Sequence, residues 1–274
     1  MKFKRLSKQL PAYEFLFITK QEVDLTSESS FISYANNYQI NYLINCAAYT
    51  SVDLAEKETL LATLVNESVP EMLARYCKEK AVRMIHISTD YVFDGSAHKP
   101  IAEINLPNPL SVYGRTKLNG ENRVLDTLTN SYIIRTSWVY SIFGNNFVKT
   151  IINLGKQRDE LNVVFDQIGT PTSAEDLAKA ILSIIGSIET GIDAPGIYNY
   201  TNEGVISWYD FAVEIVRLSN LKCKVNPILS HEYPTAAKRP FFGVLDKSKI
   251  KKIFDLDIPH WADSLKKTTK YLSR

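Results

Sequence analysis

His86-Ile87-Ser88-Thr89-Asp90-Tyr91-Val92-Phe93 and, further on, Ser111-Val112-Tyr113-Gly114-Arg115-Thr116-Lys117 are the runs around which this chain is organised. Residues 82–87 are mostly apolar and partly β-branched, as in a strand buried on both faces of a parallel sheet. Ser88, Thr89 and Asp90 then place three oxygen-bearing side chains where that strand ends. In open α/β sheets, ligands bind beyond this carboxyl edge. The second run reads as the start of a helix. Tyr113 and Lys117 are four residues apart and share one helical face.

The chemistry gives that pairing meaning. A free tyrosine titrates near ~10 and exchanges protons poorly at neutral pH. A lysine ammonium one turn away favours the phenolate, so Lys117 is expected to lower the pKa of Tyr113. Such a tyrosine can pass a proton to a carbonyl oxygen. A hydroxyl such as that of Thr89 can hydrogen-bond the same oxygen and steady its charge. A lone Y-x-x-x-K is common on solvated helix faces; behind a strand ending in S-T-D it becomes a candidate catalytic pair.

Further motifs extend these two. They are S-T-D-Y-V-F-D-G (88–95), N-P-L-S-V-Y-G-R-T-K-L-N-G-E (108–121), I-R-T-S-W-V-Y (134–140), G-N-N-F-V from Gly144, D-Q-I-G-T-P-T from Asp166, and K-R-P from Lys238. Together, from about Glu22 onward, the chain closely resembles the dTDP-4-dehydrorhamnose reductases, which are extended short-chain dehydrogenases/reductases. The resemblance implies an α/β fold: a Rossmann-like, doubly wound parallel sheet with a smaller C-terminal substrate lobe. Residues 1–140 would form the NAD(P)-binding domain and 141–274 the lobe, with about 166–190 packing back on the sheet. It implies reduction of the C4 ketone of dTDP-4-dehydro-L-rhamnose by NADPH or NADH, in cell-surface polysaccharide synthesis. Tyr113 would donate the proton, Lys117 would tune it and orient the ribose, and Thr89 would polarise the carbonyl. Asp24 and Leu25 match a position near the adenine. Ala47, Ala48, Tyr49 and Ile87 would line the dinucleotide together with Tyr113 and Lys117. Thr89, Asp90, Trp138, Asn146 and Arg239 would meet the nucleotide sugar, the arginine through two parallel bonds to phosphate. A homodimer is compatible with the family.

Bulk properties agree with an ordinary soluble globular protein. The 274 residues are 45% hydrophobic and 23% charged, with a net charge of +2. That balance gives no argument for nucleic acid or an anionic membrane as partner. No apolar run approaches the ~20 residues of a membrane span. Ser7, Lys8 and Gln9 follow the basic start where a signal peptide would have its apolar core. The expected location is the cytoplasm, with Cys46, Cys77 and Cys223 as buried, reduced thiols. The four histidines lack metal-ligand spacing, so no catalytic metal is expected.

Taken in order, residues 13–18 read as a strand, 27–37 as a helix capped by Thr26 or Ser27, and 41–47 as a strand. Helix 66–80, the strand before Ser88, the Tyr113 helix and strand 130–136 continue the alternation, which argues a parallel sheet. Helices are expected over 145–157, 173–187, 207–218 and 246–254, and strands over 161–165 and 197–200. Trp208 reads as core, and the lysines of 246–254 as a solvated face. Gly114 and Gly120 inside a helix imply a close approach by backbone or ligand. No glycine precedes Gly95. The family's opening strand and G-x-x-G-x-x-G loop are therefore expected either upstream, in roughly fifteen to twenty residues, or lost, and Met1 to Leu6 reads as the middle of the first helix. The strand 13–18 ends at Thr19-Lys20, with no acidic residue for a ribose hydroxyl, which favours NADPH. Two alternatives remain: a reductase or epimerase of another nucleotide sugar, or a non-catalytic relative such as the regulatory β subunit of methionine adenosyltransferase.

Overall fold

Residues 2–272 are described by a computed structural model. The elements begin with helices Lys2–Leu6 (α1) and Glu28–Ala35 (α2), strand Tyr42–Asn45 (β1), and helices Val52–Ala55 (α3), Thr59–Thr63 (α4) and Val69–Glu79 (α5). Strand Arg83–Thr89 (β2), helix Val112–Thr127 (α6), strands Tyr132–Thr136 (β3) and Val139–Tyr140 (β4), and helix Phe147–Gly155 (α7) follow. Then come strands Glu160–Val164 (β5), Ile168–Gly169 (β6) and Thr172–Ser173 (β7), helix Ala174–Glu189 (α8), and strands Gly196–Asn199 (β8) and Ile206–Ser207 (β9). The chain closes with helix Trp208–Leu218 (α9), strand Lys224–Ile228 (β10), and helices Ser248–Phe254 (α10) and Trp261–Leu272 (α11). Met1, part of the expected first helix, lies outside the described residues.

The main sheet has the order β1-β2-β3-β8, all parallel. Its strands alternate in the side chains they send to each face. Met84 and Ile133 join Met72, Leu73, Cys77 and Val124, from α5 and α6, on one side. Ile85 and Ile134 join Leu177, Ile181 and Phe254, from α8 and α10, on the other. The sheet is thus covered on both faces, as a parallel sheet requires. Helix α8 places Leu177, Ile181 and Ile184 in this second cluster. A third core gathers α7, α9, α11 and β5 around Ile151, Phe211, Ile215 and Leu265.

Local chemistry explains the helix starts. Ser27 accepts from Ser30 N, Ser111 from Gly114 N, and Asn146 from Lys149 N, each an N-cap bond that satisfies an orphan donor. Ser207 and Asp210 form a reciprocal capping box at α9.

Four expectations are corrected or refined. Residues 13–18 form no strand. Their alternation puts Phe15 and Phe17 in a stack, centroids 5.9 Å apart, and Tyr13 against the α8 side through a 2.5 Å bond to Glu189. A strand also needs a ladder partner, and none of the described strands pairs with them. Cys46 is exposed, because it ends β1 at the edge of the sheet, whereas Cys77 and Cys223 are buried. Trp208 is half-buried at the rim of the third core, where it also stacks on Trp138. The lysines of α10 are not simply solvated: Lys247 and Lys251 pair with Glu203, and Lys249 lies over the Tyr198 ring and donates to Ile197 O. Their long stems cover apolar surface while the ammonium finds a partner.

Candidate active site

Strand β2 delivers Thr89 to the carboxyl edge of the sheet, and the chain turns sharply through Asp90–Val92. The Thr89 hydroxyl accepts from Tyr91 N at 3.3 Å and donates to Asp90 Oδ1 at 3.2 Å. Helix α6 begins against this turn. A side chain at Gly114 would stand 2.1 Å from Tyr91 O, so only glycine lets the helix come this close. The Tyr91 and Tyr113 rings meet edge to face, 5.5 Å apart. In this arrangement the Thr89 hydroxyl is near enough to the Tyr113 phenol to favour its anion. One turn along, Lys117 Nζ donates to Ile87 O at 2.6 Å and lies 3.3 Å from His86 Nε2. Tyr113, Lys117, Thr89 and Asp90 are all buried.

Burial decides the electrostatics. It pushes the Tyr113 phenol up to about 12, with the Thr89 hydroxyl opposing the rise and Asp90 adding to it. The expected lowering by Lys117 is therefore corrected. The Nζ of Lys117 is aimed at Ile87 and His86, and its own pKa is lowered to about 8 by burial, against the pull of Glu121 and Cys46. Tyr113 consequently keeps its proton across the neutral range. Asp90 is pushed up to about 7 by burial, opposed by its hydrogen bonds from Thr89 and the backbone. Its second oxygen, Oδ2, is buried without a hydrogen-bond partner. A side chain at Gly243 would stand 2.5 Å from that oxygen, so the segment after Pro240 closes over the same edge.

The other expected residues divide into two groups. Ala47, Ala48 and Tyr49 follow β1 and are half-buried, and the Ile87 carbonyl is held by Lys117. Arg239 reaches this edge too, but its guanidinium grips Asp53 of α3 at 2.7 and 3.3 Å. Asp53 also accepts from Ala237 N at 3.0 Å. The remainder have contacts of their own. Asp24 is exposed and accepts from both N and Oγ1 of Thr26, while Leu25 packs on the α5–α6 core. Trp138 has left-handed backbone, φ 47°, and stacks on Trp208 at 3.6 Å with Gly169 beneath its ring. The Asn146 side chain caps α7 and donates to Ser141 O at 2.7 Å.

Two polar residues of the site were not singled out in the sequence. Asn66 sits in a π-helical turn, Leu64–Ser68, a rare distortion that marks functional sites. Its amide bonds both N and O of Tyr49 and the Thr116 hydroxyl. Gly120 was the available signal, because a side chain there would stand 2.0 Å from Asn66 O. Asn45 is the second, hydrogen-bonded to His86 at 3.0 Å. Among the described residues, no group of three or more His, Cys, Asp or Glu could hold a metal ion.

These residues fit the nicotinamide half of a dinucleotide beside a hydroxyl-bearing substrate. Ala47 and Ala48 leave the end of β1 partly open, and the orphaned Asp90 Oδ2 is a buried acceptor for a hydroxyl.

Comparisons with known proteins point the same way. The family model described as RmlD substrate binding domain matches residues 4–274. A dTDP-4-dehydrorhamnose reductase of Aggregatibacter actinomycetemcomitans is 40% identical over 267 residues, covering 94% of this chain and 90% of the relative. The crystal structure of a dTDP-4-dehydrorhamnose reductase from Clostridium acetobutylicum superposes with a TM-score of 0.92 at 42% identity, covering 100% of this chain and 96% of the other. That of the Bacillus anthracis enzyme in complex with NADP also gives 0.92, at 34% identity and 98% and 95% coverage. With the motifs, the fold and the matched length in agreement, this chain belongs to the dTDP-4-dehydrorhamnose reductase family.

Proposed function

We propose that the chain reduces the C4 ketone of dTDP-4-dehydro-L-rhamnose to dTDP-L-rhamnose, using NADPH or NADH. The observation that carries this reading is that α6 sets Tyr113 against the turn that follows Thr89, with Lys117 on Ile87 O at the end of β2. When bound, the reduced nicotinamide supplies the hydride. Tyr113 hands its proton to the ketone oxygen as negative charge builds there. Thr89 hydrogen-bonds the same oxygen, and the buried setting strengthens that bond. Lys117 is the partner of Tyr113 and would orient the nicotinamide ribose.

Ala47, Ala48, Tyr49 and Ile87 would hold the dinucleotide, with Asp24 and Leu25 near its adenine. Exposed Thr19 and Lys20 suit a 2′-phosphate and favour NADPH. Asp90 would accept from a sugar hydroxyl, and Trp138 and Asn146 would flank the nucleotide sugar. Arg239 would exchange Asp53 for the diphosphate, which offers its fork two acceptors. The part from 141 onward would act as the substrate lobe, apart from the segment around α8. Among the described residues no helix is long and apolar enough to cross a membrane, and a cytoplasmic homodimer completes this reading.

The test is purified protein with dTDP-4-dehydro-L-rhamnose and NADPH or NADH, read by loss of reduced cofactor and by NMR of the product. The expected product is dTDP-L-rhamnose. No cofactor oxidation with either nucleotide overturns the proposal. Turnover only with a different nucleotide sugar moves the chain to a related reductase.

A further inference from the structure

The proposed reaction leaves His86 unused. It is fully buried in β2 and stands opposite Asn45 of β1 in the parallel register. Asn45 Nδ2 lies 3.0 Å from its Nδ1, and Lys117 Nζ lies 3.3 Å from its Nε2. The Asn45 amide is not free to turn, because its Oδ1 accepts from Ala47 N at 3.0 Å. Nδ2 must therefore donate to the ring, and Nδ1 must accept. A neutral imidazole carries one N–H, which is then on Nε2 and points at Lys117. To accept it, Nζ must offer a lone pair, which an ammonium lacks. An amine does have one, and it can still donate to Ile87 O, 2.6 Å away. The chain of bonds runs one way, from the Ala47 amide through Asn45, His86 and Lys117 to the Ile87 carbonyl.

We propose that His86, oriented by Asn45, is a positioning residue that disfavours the ammonium form of Lys117 and so sets how readily it takes up a proton. This rests on the reading of Lys117 as the partner of Tyr113. Protonating Lys117 would require Nε2 to accept, Nδ1–H to face Asn45, and the amide to turn against the Ala47 N–H. Each reversal leaves a mispaired buried group. Burial acts in the same direction: it lowers the pKa of Lys117 to about 8 and holds that of His86 well below its ordinary value, with Lys117 the second cause. Glu121 from α6 and Cys46 from the end of β1 oppose it at Lys117. Arg135 of β3, bonded to both carboxylate oxygens of Glu121, moderates that opposition, and Tyr113 one turn away is uncharged.

The first test needs no variant. Long-range proton–nitrogen NMR of the histidine-labelled full chain, with His86 assigned by its loss in His86→Gln, should show the proton on Nε2 and Nδ1 bare. A proton on Nδ1 overturns the proposal. The second test is Asn45→Asp, which replaces the amide donor with an acceptor and should reverse the chain. His86 should move its proton to Nδ1. The Lys117 titration, read from its ε-carbon signal in lysine-labelled protein, should rise by about one pH unit or more. The pH profile of kcat/KM should move with it. A raised titration without the tautomer change, or neither change, overturns the proposal. The NMR readings do not depend on turnover, so a chain that fails as a reductase still reveals which nitrogen of His86 carries the proton.

Discussion

Gly120→Ala should destabilise the protein, against the sign that helix propensity alone would give. Glycine inside a helix costs about 1 kcal/mol relative to alanine, so propensity favours the substitution by that amount. The packing opposes it. The new Cβ would stand 2.0 Å from Asn66 O and 3.2 Å from Asn66 C. Ordinary carbon contacts lie at about 3.5–4.0 Å, so helix and carbonyl must separate by more than ~1 Å. Neither side yields easily, because Asn66 is tied to Tyr49 and Thr116 by three side-chain bonds. Overpacking of this kind costs roughly 1–3 kcal/mol, occasionally more. A 2.0 Å approach to a backbone atom lies at the top of that range, so the net loss is about 2 kcal/mol. For a chain of this size each kcal/mol shifts Tm by about 2–4 °C, so Tm should fall by several degrees in a calorimetric scan. Gly186→Ala in α8 is the control, because nothing lies within 4 Å of its added Cβ. There propensity acts unopposed, and Tm should rise by about 2–4 °C. If Gly120→Ala is as stable as the parent, the close approach of α6 to the π-helical turn is wrong.

Three further outcomes follow from the site. Tyr113→Phe should lower kcat by about 10²–10⁴ while nucleotide-sugar binding by calorimetry is retained, since only the proton donor is removed; a loss of less than about ten-fold rules Tyr113 out as the donor. Glu121→Gln leaves the buried Arg135 guanidinium uncompensated and should cost about 3–5 kcal/mol in urea unfolding, whereas a cost under ~1 kcal/mol would mean that water reaches the pair. Asp90→Asn tests burial of the carboxyl through pH. Asp90 titrates at about 7 in the folded chain but near ~3.9 when unfolded. Between those values the folded state holds a proton that the unfolded state has released, so this group makes stability fall as pH rises through the window. The asparagine variant should therefore gain on the parent between pH ~4 and ~8, by up to about 4 kcal/mol; parallel stability curves would refute the burial.

Much of this was legible because it is written in local order. The apolar, β-branched run ending in S-T-D reads as β2, and the run from Ser111 to Lys117 reads as the start of α6. What was not legible depends on distant partners. Residues 13–18 show the alternation of an extended segment, but becoming a strand needs a neighbouring strand, and alternation does not supply one. Arg239 advertises a phosphate-binding fork, while the carboxylate it holds, Asp53, lies 186 residues away in sequence. His86 reads as one scattered histidine among several. Only the register that sets it against Asn45, with Lys117 reaching across from α6, gives it a direction.

The Tyr113–Lys117 pair shows where a spacing rule stops. Four residues place the two side chains on one face, but spacing carries no measure of depth. At a surface, the lysine would be charged and would draw the phenol toward its anion. Here both are buried, and desolvation is the first cause for each: it raises the tyrosine to about 12 and lowers the lysine to about 8. The sign of the expected shift on Tyr113 reverses, and the reversal suits the direction of the chemistry. A reduction must deliver a proton to an oxygen that becomes strongly basic only as hydride arrives. A phenol that holds its proton until that moment is matched to this demand, and the hydroxyl of Thr89 beside it already marks where the oxygen would lie.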